Sequence, residues 1–138
     1  MLTQFVIHNW YLFAALAVII FLIAAGPISL RMHGVKNANA AQTVQLINRE
    51  NGVVVDVREP QEFQSGHIPS AINLPLSSLK NRLQDLDRHK SKPIVMACRS
   101  GQRSVKGAVI LRQQGFPVVY TLAGGLQAWE RDNLPVEK

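Results

Sequence analysis

The chain contains only one cysteine, Cys98, and this excludes an internal disulfide. Considered without its context, a lone cysteine is most often a buried and unreactive thiol, and the alternatives are an intermolecular link or a reactive thiolate. The sequence holds no Cys-x-x-Cys and no His–Cys arrangement, so we expect no metal site.

Acidic residues are also scarce, and two long stretches have none. None precedes Glu50, and none lies between Asp87 and Glu130, although the net charge of the chain is +6. Cys98 lies inside the second stretch, together with seven basic residues: Arg88, Lys90, Lys92, Arg99, Arg103, Lys106 and Arg112. These residues form either a solvated basic face or a positive field that favours a thiolate and attracts small anions. Because no aromatic residues alternate with them, we expect no nucleic-acid partner.

Charge of either sign is missing from residues 1–30. Residues 11–30 are apolar apart from Gly, Pro and Ser, and twenty helical residues span about 30 Å, the thickness of the hydrocarbon layer. We therefore predict a single-pass transmembrane helix within residues 1–30, with Trp10 and Tyr11 at the membrane interface. A cleaved signal peptide is the alternative, since "ANA" at 38–40 resembles a cleavage site. Against it, the first ten residues lack the basic n-region.

The basic residues set the predicted orientation of this anchor in the inner (cell) membrane. Every Lys and Arg follows the apolar run, beginning with Arg31, so the positive-inside rule places the C-terminal part in the cytoplasm. The periplasmic side is the alternative. We predict a linker over residues 31–39 and a folded domain over residues 40–138.

The folded domain alternates between two kinds of segment. Short apolar runs without polar alternation predict strands covered on both faces of a parallel sheet, at 53–57, 93–97 and 118–122, with a further short strand at 71–74. Apolar residues at helical spacing, or helix-start and helix-stop signals, predict helices at 41–50, 60–66, 75–83, 104–115 and 125–132. The alternation predicts an α/β domain, an open parallel sheet flanked by helices.

Cys98 directly follows the predicted strand 93–97 and precedes a helix that begins near Ser104. Ligands of open α/β sheets bind beyond the C-terminal ends of the strands. A tight loop at a helix N-terminus points backbone N–H groups inward, which makes an anion-binding cup. Such a cup stabilises the ionised form of a thiol, so this context favours a reactive Cys98 over an inert one. Gly101 is expected to supply a backbone position with positive φ.

The other residues of this loop are candidate ligands for an anion. Arg99 and Arg103 can face a bound oxyanion with forked donors, and Ser100 and Ser104 can add hydroxyl donors. Gln102 completes the predicted substrate-binding loop. No general base lies nearby in the sequence, so the chemistry must suit a nucleophile that is already ionised.

Three segments resemble the rhodanese family of sulfurtransferases over about residues 40–136. The segment "VVVDVREPQEFQSGHIPSAINLP" (53–75) is similar to the first motif of the family, and "CRSGQRS" (98–104) is similar to its active-site loop. The segment "GGLQAW" (124–129) resembles the final turn and helix. Ser70 stands where the family often has Gly. This departure bears only on the expected geometry of the local turn.

The resemblance implies a persulfide mechanism with Cys98 as the nucleophile and no cofactor beyond the covalent persulfide. Cys98 would take the outer sulfur of a small anionic donor such as thiosulfate, and pass it to cyanide or to a thiol, including a thiol of a partner protein.

Two alternatives belong to other function classes. Phosphatases with a related loop use Cys-x5-Arg, whereas Cys98 and Arg103 have the spacing Cys-x4-Arg, which makes a smaller cup suited to a single sulfur atom. A membrane-tethered docking or persulfide-carrier module is the other alternative. The complete loop favours an enzyme over such a module.

Four residues outside the loop are assigned structural or functional interpretations. Asp56 lies in a predicted buried strand and is expected to pair with Arg58 or to fix the loop backbone, the alternative being electrostatic tuning of Cys98. Arg58 is a candidate for anion binding. His67 is expected to pack and hydrogen-bond locally rather than act as a base, and Trp129 to anchor the last helix in the core.

Overall fold

Two helices open the chain, α1 (Leu2–His8) and α2 (Trp10–Met32). The structure, a computed structural model, describes the side chains of residues 1–25 and 33–138. Over those residues no single helix is long and apolar enough to cross a membrane. Together, α1 and residues Trp10–Ala25 meet the length and composition of a span, but the two segments are bent by 71°. Residues 26–30 of the predicted span and Arg31 lie outside the described residues. The membrane anchor therefore stays a prediction.

A five-stranded parallel sheet forms the centre of the rest of the chain, with the strand order β1-β5-β4-β2-β3. The strands are β1 (Lys36–Ala38), β2 (Val53–Asp56), β3 (Ile72–Asn73), β4 (Ile94–Ala97) and β5 (Val119–Leu122). The three long apolar runs of the sequence are thus β2, β4 and β5, at the centre of the sheet. The predicted α/β class with a parallel sheet is confirmed.

Helices cover both faces of this sheet. They are α3 (Ala40–Glu50), α4 (Pro60–Gln64), α5 (Gln102–Gln113) and α6 (Gly125–Arg131). One hydrophobic cluster joins the sheet to α5 through Ala108 and Leu111, and a second joins it to α3 and α6 through Leu46 and Trp129. Every residue of β4 is buried. Burial on both faces explains why the strands lack polar alternation.

The segment 75–83 differs from the predicted helix. The structure has two 3-10 segments there, Leu79–Asn81 and Leu83–His89. The N–H groups of Ser78 and Leu79 bond to carbonyls three residues back, and the Ser78 hydroxyl donates to the Pro75 carbonyl at 3.2 Å. Side-chain bonds of this kind compete with the α-helical pattern, which explains the tighter turns.

Strand β1 lies inside the range predicted as a linker. It pairs with β5, and the Thr121 hydroxyl donates to the Asn37 side chain at 2.6 Å. Three residues with a polar sequence, Lys-Asn-Ala, give no recognisable strand pattern. The domain boundaries stay predictions.

Ser70 adopts φ 66°, in the left-handed region that favours glycine. Its N–H donates to the Glu137 carboxylate at 3.0 Å. The turn therefore keeps the geometry of a glycine position although the residue is serine.

Candidate active site

The sulfur of Cys98 lies in a loop between β4 and α5 and accepts two backbone hydrogen bonds. The N–H of Gly101 is 3.0 Å from Sγ, and the N–H of Ser104 is 3.4 Å from it. Gly101 has φ 109°, which lets the chain turn back over the sulfur and enter α5. The residue is 1% exposed, so the sulfur lies at the base of the loop. Both donors favour negative charge on the sulfur, as expected of an anion-binding cup.

Helix α6 supports this loop from the other side. The N–H of Leu126 donates to the carbonyl of Cys98 at 2.7 Å, and the N–H of Gln127 donates to the carbonyl of Arg99 at 3.1 Å. A Cβ on Gly125 would lie 2.5 Å from the Cys98 carbonyl oxygen and 2.6 Å from the Arg99 carbonyl. The glycine is therefore required for this close approach. The "GGLQAW" resemblance gave the helix but not this contact.

The side chains of the predicted substrate-binding loop point to different surroundings. Arg99, Ser100 and Gln102 are exposed. Ser104 is fully buried, and its hydroxyl donates to the Gly101 carbonyl at 2.9 Å, so it holds the loop closed. Sequence reasoning treated this hydroxyl as a free donor for an anion.

Arg103 differs from its predicted orientation toward a bound oxyanion. Its Nη1 and Nη2 donate to the two carboxylate oxygens of Glu62 at 2.7 and 2.9 Å. This forked pair fastens α4 to the start of α5. The Arg103 hydrogen bonds, helped by the Glu59 N–H and the Arg58 charge and opposed by partial burial, lower the pKa of Glu62 from 4.5 to about 2. In turn, the Glu62 carboxylate raises the pKa of Arg103.

Sequence reasoning did not single out Glu62. The available signal was that Glu62 lies three residues after Glu59, and that Glu59 directly precedes the predicted helix at 60–66. This is the spacing of a capping box, and the structure forms one there. That signal predicts a helix start but not the ion pair across 41 residues of sequence.

The ion pair gives a pH-dependent contribution to stability. A carboxylate whose pKa is lower in the folded state stabilises the fold fully above its unfolded value, near 4.5, and loses that contribution as the pH falls through about 2. We expect Glu62→Gln to destabilise the protein at pH 7 by on the order of 1 kcal/mol, because both partners are about one-third exposed. Urea midpoints at pH 7, 5, 4 and 3 should show this difference shrinking below pH 4.5.

Glu50→Gln is the matched control, because Glu50 is an exposed carboxylate with no ion pair among the described residues. It should change the urea midpoint little at any pH. A Glu62→Gln deficit of equal size at pH 7 and pH 3 would contradict the assigned ion pair.

Asp56 and Arg58 form a buried pair at the end of β2. Oδ1 of Asp56 accepts from the Arg58 N–H and Nε, both at 3.0 Å, and Oδ2 accepts from Nη2 at 2.8 Å. Nη2 also donates to the Gly66 carbonyl at 2.7 Å. Asp56 thus pairs with Arg58 and fixes its backbone N–H, as the structural interpretation expects. Arg58 holds the segment that follows α4 through the Gly66 carbonyl.

His67 contacts its own segment and, against the expectation of local contacts, also Glu137 near the C-terminus. Its Nδ1 is 2.8 Å from the Phe63 carbonyl oxygen, its ring stacks on Phe63 with centroids 3.7 Å apart, and its Nε2 is 3.4 Å from the Glu137 carboxylate. Among the described residues, no cluster of three His, Cys, Asp or Glu is placed to hold a metal ion.

Known proteins resemble this chain in sequence and in fold. A family model described as a rhodanese-like domain matches residues 39–132. The uncharacterized protein YibN of Escherichia coli K12 is 38% identical over 103 residues, which cover 74% of this chain and 72% of that protein. The thiosulfate sulfurtransferase GlpE of Pseudoalteromonas translucida is 35% identical over 95 residues, covering 69% and 89%. The crystal structure of a rhodanese-related protein from Thermoplasma volcanium superimposes with a TM-score of 0.66 at 33% identity, covering 74% and 97%.

Proposed function

This chain belongs to the rhodanese-like domain family, and from that premise we propose that it is a sulfurtransferase that carries sulfur as a persulfide on Cys98. The observation that supports the proposal most directly is the cup, where the N–H groups of Gly101 and Ser104 point at the sulfur from 3.0 and 3.4 Å. A buried structural thiol has no need of two backbone donors, since neighbouring apolar groups suffice for it.

The proposed first half-reaction uses thiosulfate as the donor. The Cys98 thiolate attacks the outer sulfur of thiosulfate, the S–S bond of thiosulfate breaks, and sulfite leaves with the electron pair. Cys98 then carries a persulfide anion. Sulfite is a good anionic leaving group, so this step needs no proton donor.

The proposed second half-reaction returns the enzyme to its starting state. The thiolate of an acceptor, or cyanide, attacks the outer sulfur of the persulfide, and Sγ of Cys98 leaves as a thiolate. The products are an acceptor persulfide, or thiocyanate when cyanide is the acceptor. The N–H donors of Gly101 and Ser104 stabilise the charge on Sγ before the first half-reaction and after the second. The proposed chemistry calls for no cofactor or metal.

We also propose that the N-terminal helices hold the enzyme at the inner (cell) membrane, with the catalytic domain on the cytoplasmic side. The support is that large apolar side chains of α1 and α2 from Leu2 to Ile23 are exposed. An exposed apolar surface of this size is unfavourable in water, and lipid would cover it. Fusion of a cytoplasm-dependent reporter to the C-terminus tests the orientation.

Mass spectrometry of the intact full-length protein in a mild detergent tests the proposed function. After incubation with thiosulfate we expect a gain of one sulfur atom, released again by cyanide and absent in Cys98→Ser. Cys98→Ser removes the nucleophile but keeps the size of the side chain, so the fold should persist by circular dichroism. No gain from any sulfane-sulfur donor would overturn the proposal and favour a docking module.

A further inference from the structure

A pocket of about 210 Å³ lies beside the active-site loop, between the segment after α4 and the exposed side of α6. Its charged side chains are those of Arg58, Arg99 and Glu130, and Ser65 and Gln127 add polar ones. It shares three residues with the loop and its support. Arg99 directly follows Cys98, and the N–H groups of Leu126 and Gln127 donate to the carbonyls of Cys98 and Arg99. A molecule in this pocket therefore lies against the loop that carries the sulfur.

Arg58 lines this pocket and has one side-chain nitrogen, Nη1, that makes no hydrogen bond to the residues that the structure describes. Its side chain is 5% exposed, and Asp56 and the Gly66 carbonyl engage its Nε and Nη2. Within the part of the chain that the structure describes, Nη1 has no hydrogen-bond partner, yet every fully buried polar side-chain atom there has one. Nη1 is therefore not fully buried, and the pocket is an open space that Arg58 lines. Because the guanidinium is already held in place, binding an acceptor group costs no side-chain ordering.

The charges around the pocket are of both signs. Asp56 balances the charge of Arg58, while Arg99 and Glu130 are exposed and have no ion-pair partner among the described residues. Arg58 Nη1 and Arg99 suit a carboxylate, and Glu130 suits an ammonium group. The set thus fits a small zwitterion better than a simple anion such as thiosulfate.

We propose that this pocket binds the sulfur acceptor, and that the acceptor is a small thiol bearing both a carboxylate and an ammonium group, in the chemical class of cysteine. This inference rests on the proposed function. In the step it serves, the acceptor loses its thiol proton to solvent, its sulfur bonds to the outer sulfur of the persulfide, and Cys98 leaves as a thiolate. Arg58 and Arg99 position the acceptor through its carboxylate, and Glu130 positions it through its ammonium group.

Three matched thiols test the proposal on full-length protein that already carries the persulfide. Cysteine has both charged groups, cysteamine lacks the carboxylate, and 3-mercaptopropionate lacks the ammonium group. The rate of sulfur removal by each thiol is measured in single turnovers. Dividing it by the rate at which the same thiol reacts with free thiosulfonate at the same pH corrects for the different reactivities of the thiols. We expect the corrected rate with cysteine to exceed each of the others by about tenfold, as for a lost charge-assisted hydrogen bond.

Two exposed positions separate the contributions of the charged groups. Arg99→Gln should reduce the preference for cysteine over cysteamine about fivefold or more, and leave its preference over 3-mercaptopropionate largely in place. Glu130→Gln should do the reverse. Lys106→Gln removes one exposed positive charge from α5, outside the pocket, and should change neither ratio. Equal rates for the three thiols, or equal effects of all three variants, would overturn the proposal.

Binding without turnover separates a failure of this inference from a failure of the proposed function. Serine keeps both charged groups of cysteine but cannot accept sulfur, and ethanolamine lacks the carboxylate. Titration with serine should shift the backbone amide resonances of Gly66 and Gln127 saturably, and ethanolamine should not. Persulfide formation without a serine response or acceptor preference would overturn only the pocket. A serine response without persulfide formation would keep the pocket as a zwitterion site and overturn the transfer reaction.

Discussion

Replacing Gly125 with alanine is expected to destabilise the fold by about 3 kcal/mol or more, and to slow persulfide formation at Cys98 at least about tenfold. The added Cβ meets backbone atoms, 2.5 Å from the Cys98 oxygen and 2.6 Å from the carbonyl of Arg99, and these cannot rotate away as a side chain can. Residue 125 also has φ 61°, which alanine adopts at a cost. Helix α6 must therefore move away from the loop. Urea unfolding and the initial rate of mass gain with thiosulfate measure the two effects.

Gly115→Ala is the matched control for the backbone term. Gly115 has φ 91°, but a Cβ there meets nothing closer than the amine at the end of the exposed Lys90 side chain, at 3.5 Å. Its destabilisation should therefore be limited to about 1–2 kcal/mol, with persulfide formation intact in the folded fraction. If Gly125→Ala behaved no worse than Gly115→Ala, the close approach of α6 would not be what holds the active-site loop.

The sheet was predictable from the sequence because its central strands are buried on both faces. Burial leaves no polar alternation, so residues 53–57 and 93–97 carry a pattern that few other elements share. The edge strand β1 was not predicted because Lys36 and Asn37 are exposed, and only the pairing with β5 makes this segment a strand. The 3-10 turns at 75–83 were not predicted because leucine spacing alone does not distinguish α-helical from 3-10 turns.

The placement of Cys98 in an amide-lined loop was predictable for a local reason, and the orientation of the neighbouring side chains was not. A strand, a cysteine, a glycine and a helix in succession determine a cup around Cys98, since all the groups involved lie within seven residues. The partner of Arg103 lies on α4, and the supports of the loop lie on α6. Contacts between distant segments depend on how the helices pack on the sheet, which the local pattern does not encode.

Asp56→Asn is expected to destabilise the protein by about 3–5 kcal/mol. The change keeps the shape of the side chain but leaves the Arg58 charge buried without a counter-charge, since Asp56 and Arg58 are 2% and 4% exposed. It also places an amide donor where Oδ1 or Oδ2 accepts from the arginine. Urea unfolding followed by the fluorescence of the buried Trp129 measures the loss, with the exposed Trp10 as a constant background.

The exposed pair of Arg82 and Asp85 provides the control, because it has the same chemistry at the surface. Its nitrogen–oxygen distance is 3.0 Å, and its side chains are 49% and 40% exposed. Asp85→Asn should cost less than about 1 kcal/mol, because water solvates the arginine that remains. In the double variant Asp56→Asn/Arg58→Met, removal of the stranded charge should recover part of the stability lost in Asp56→Asn. A double variant that is less stable than Asp56→Asn would show that Arg58 supports the fold through its bond to the Gly66 carbonyl rather than through charge pairing.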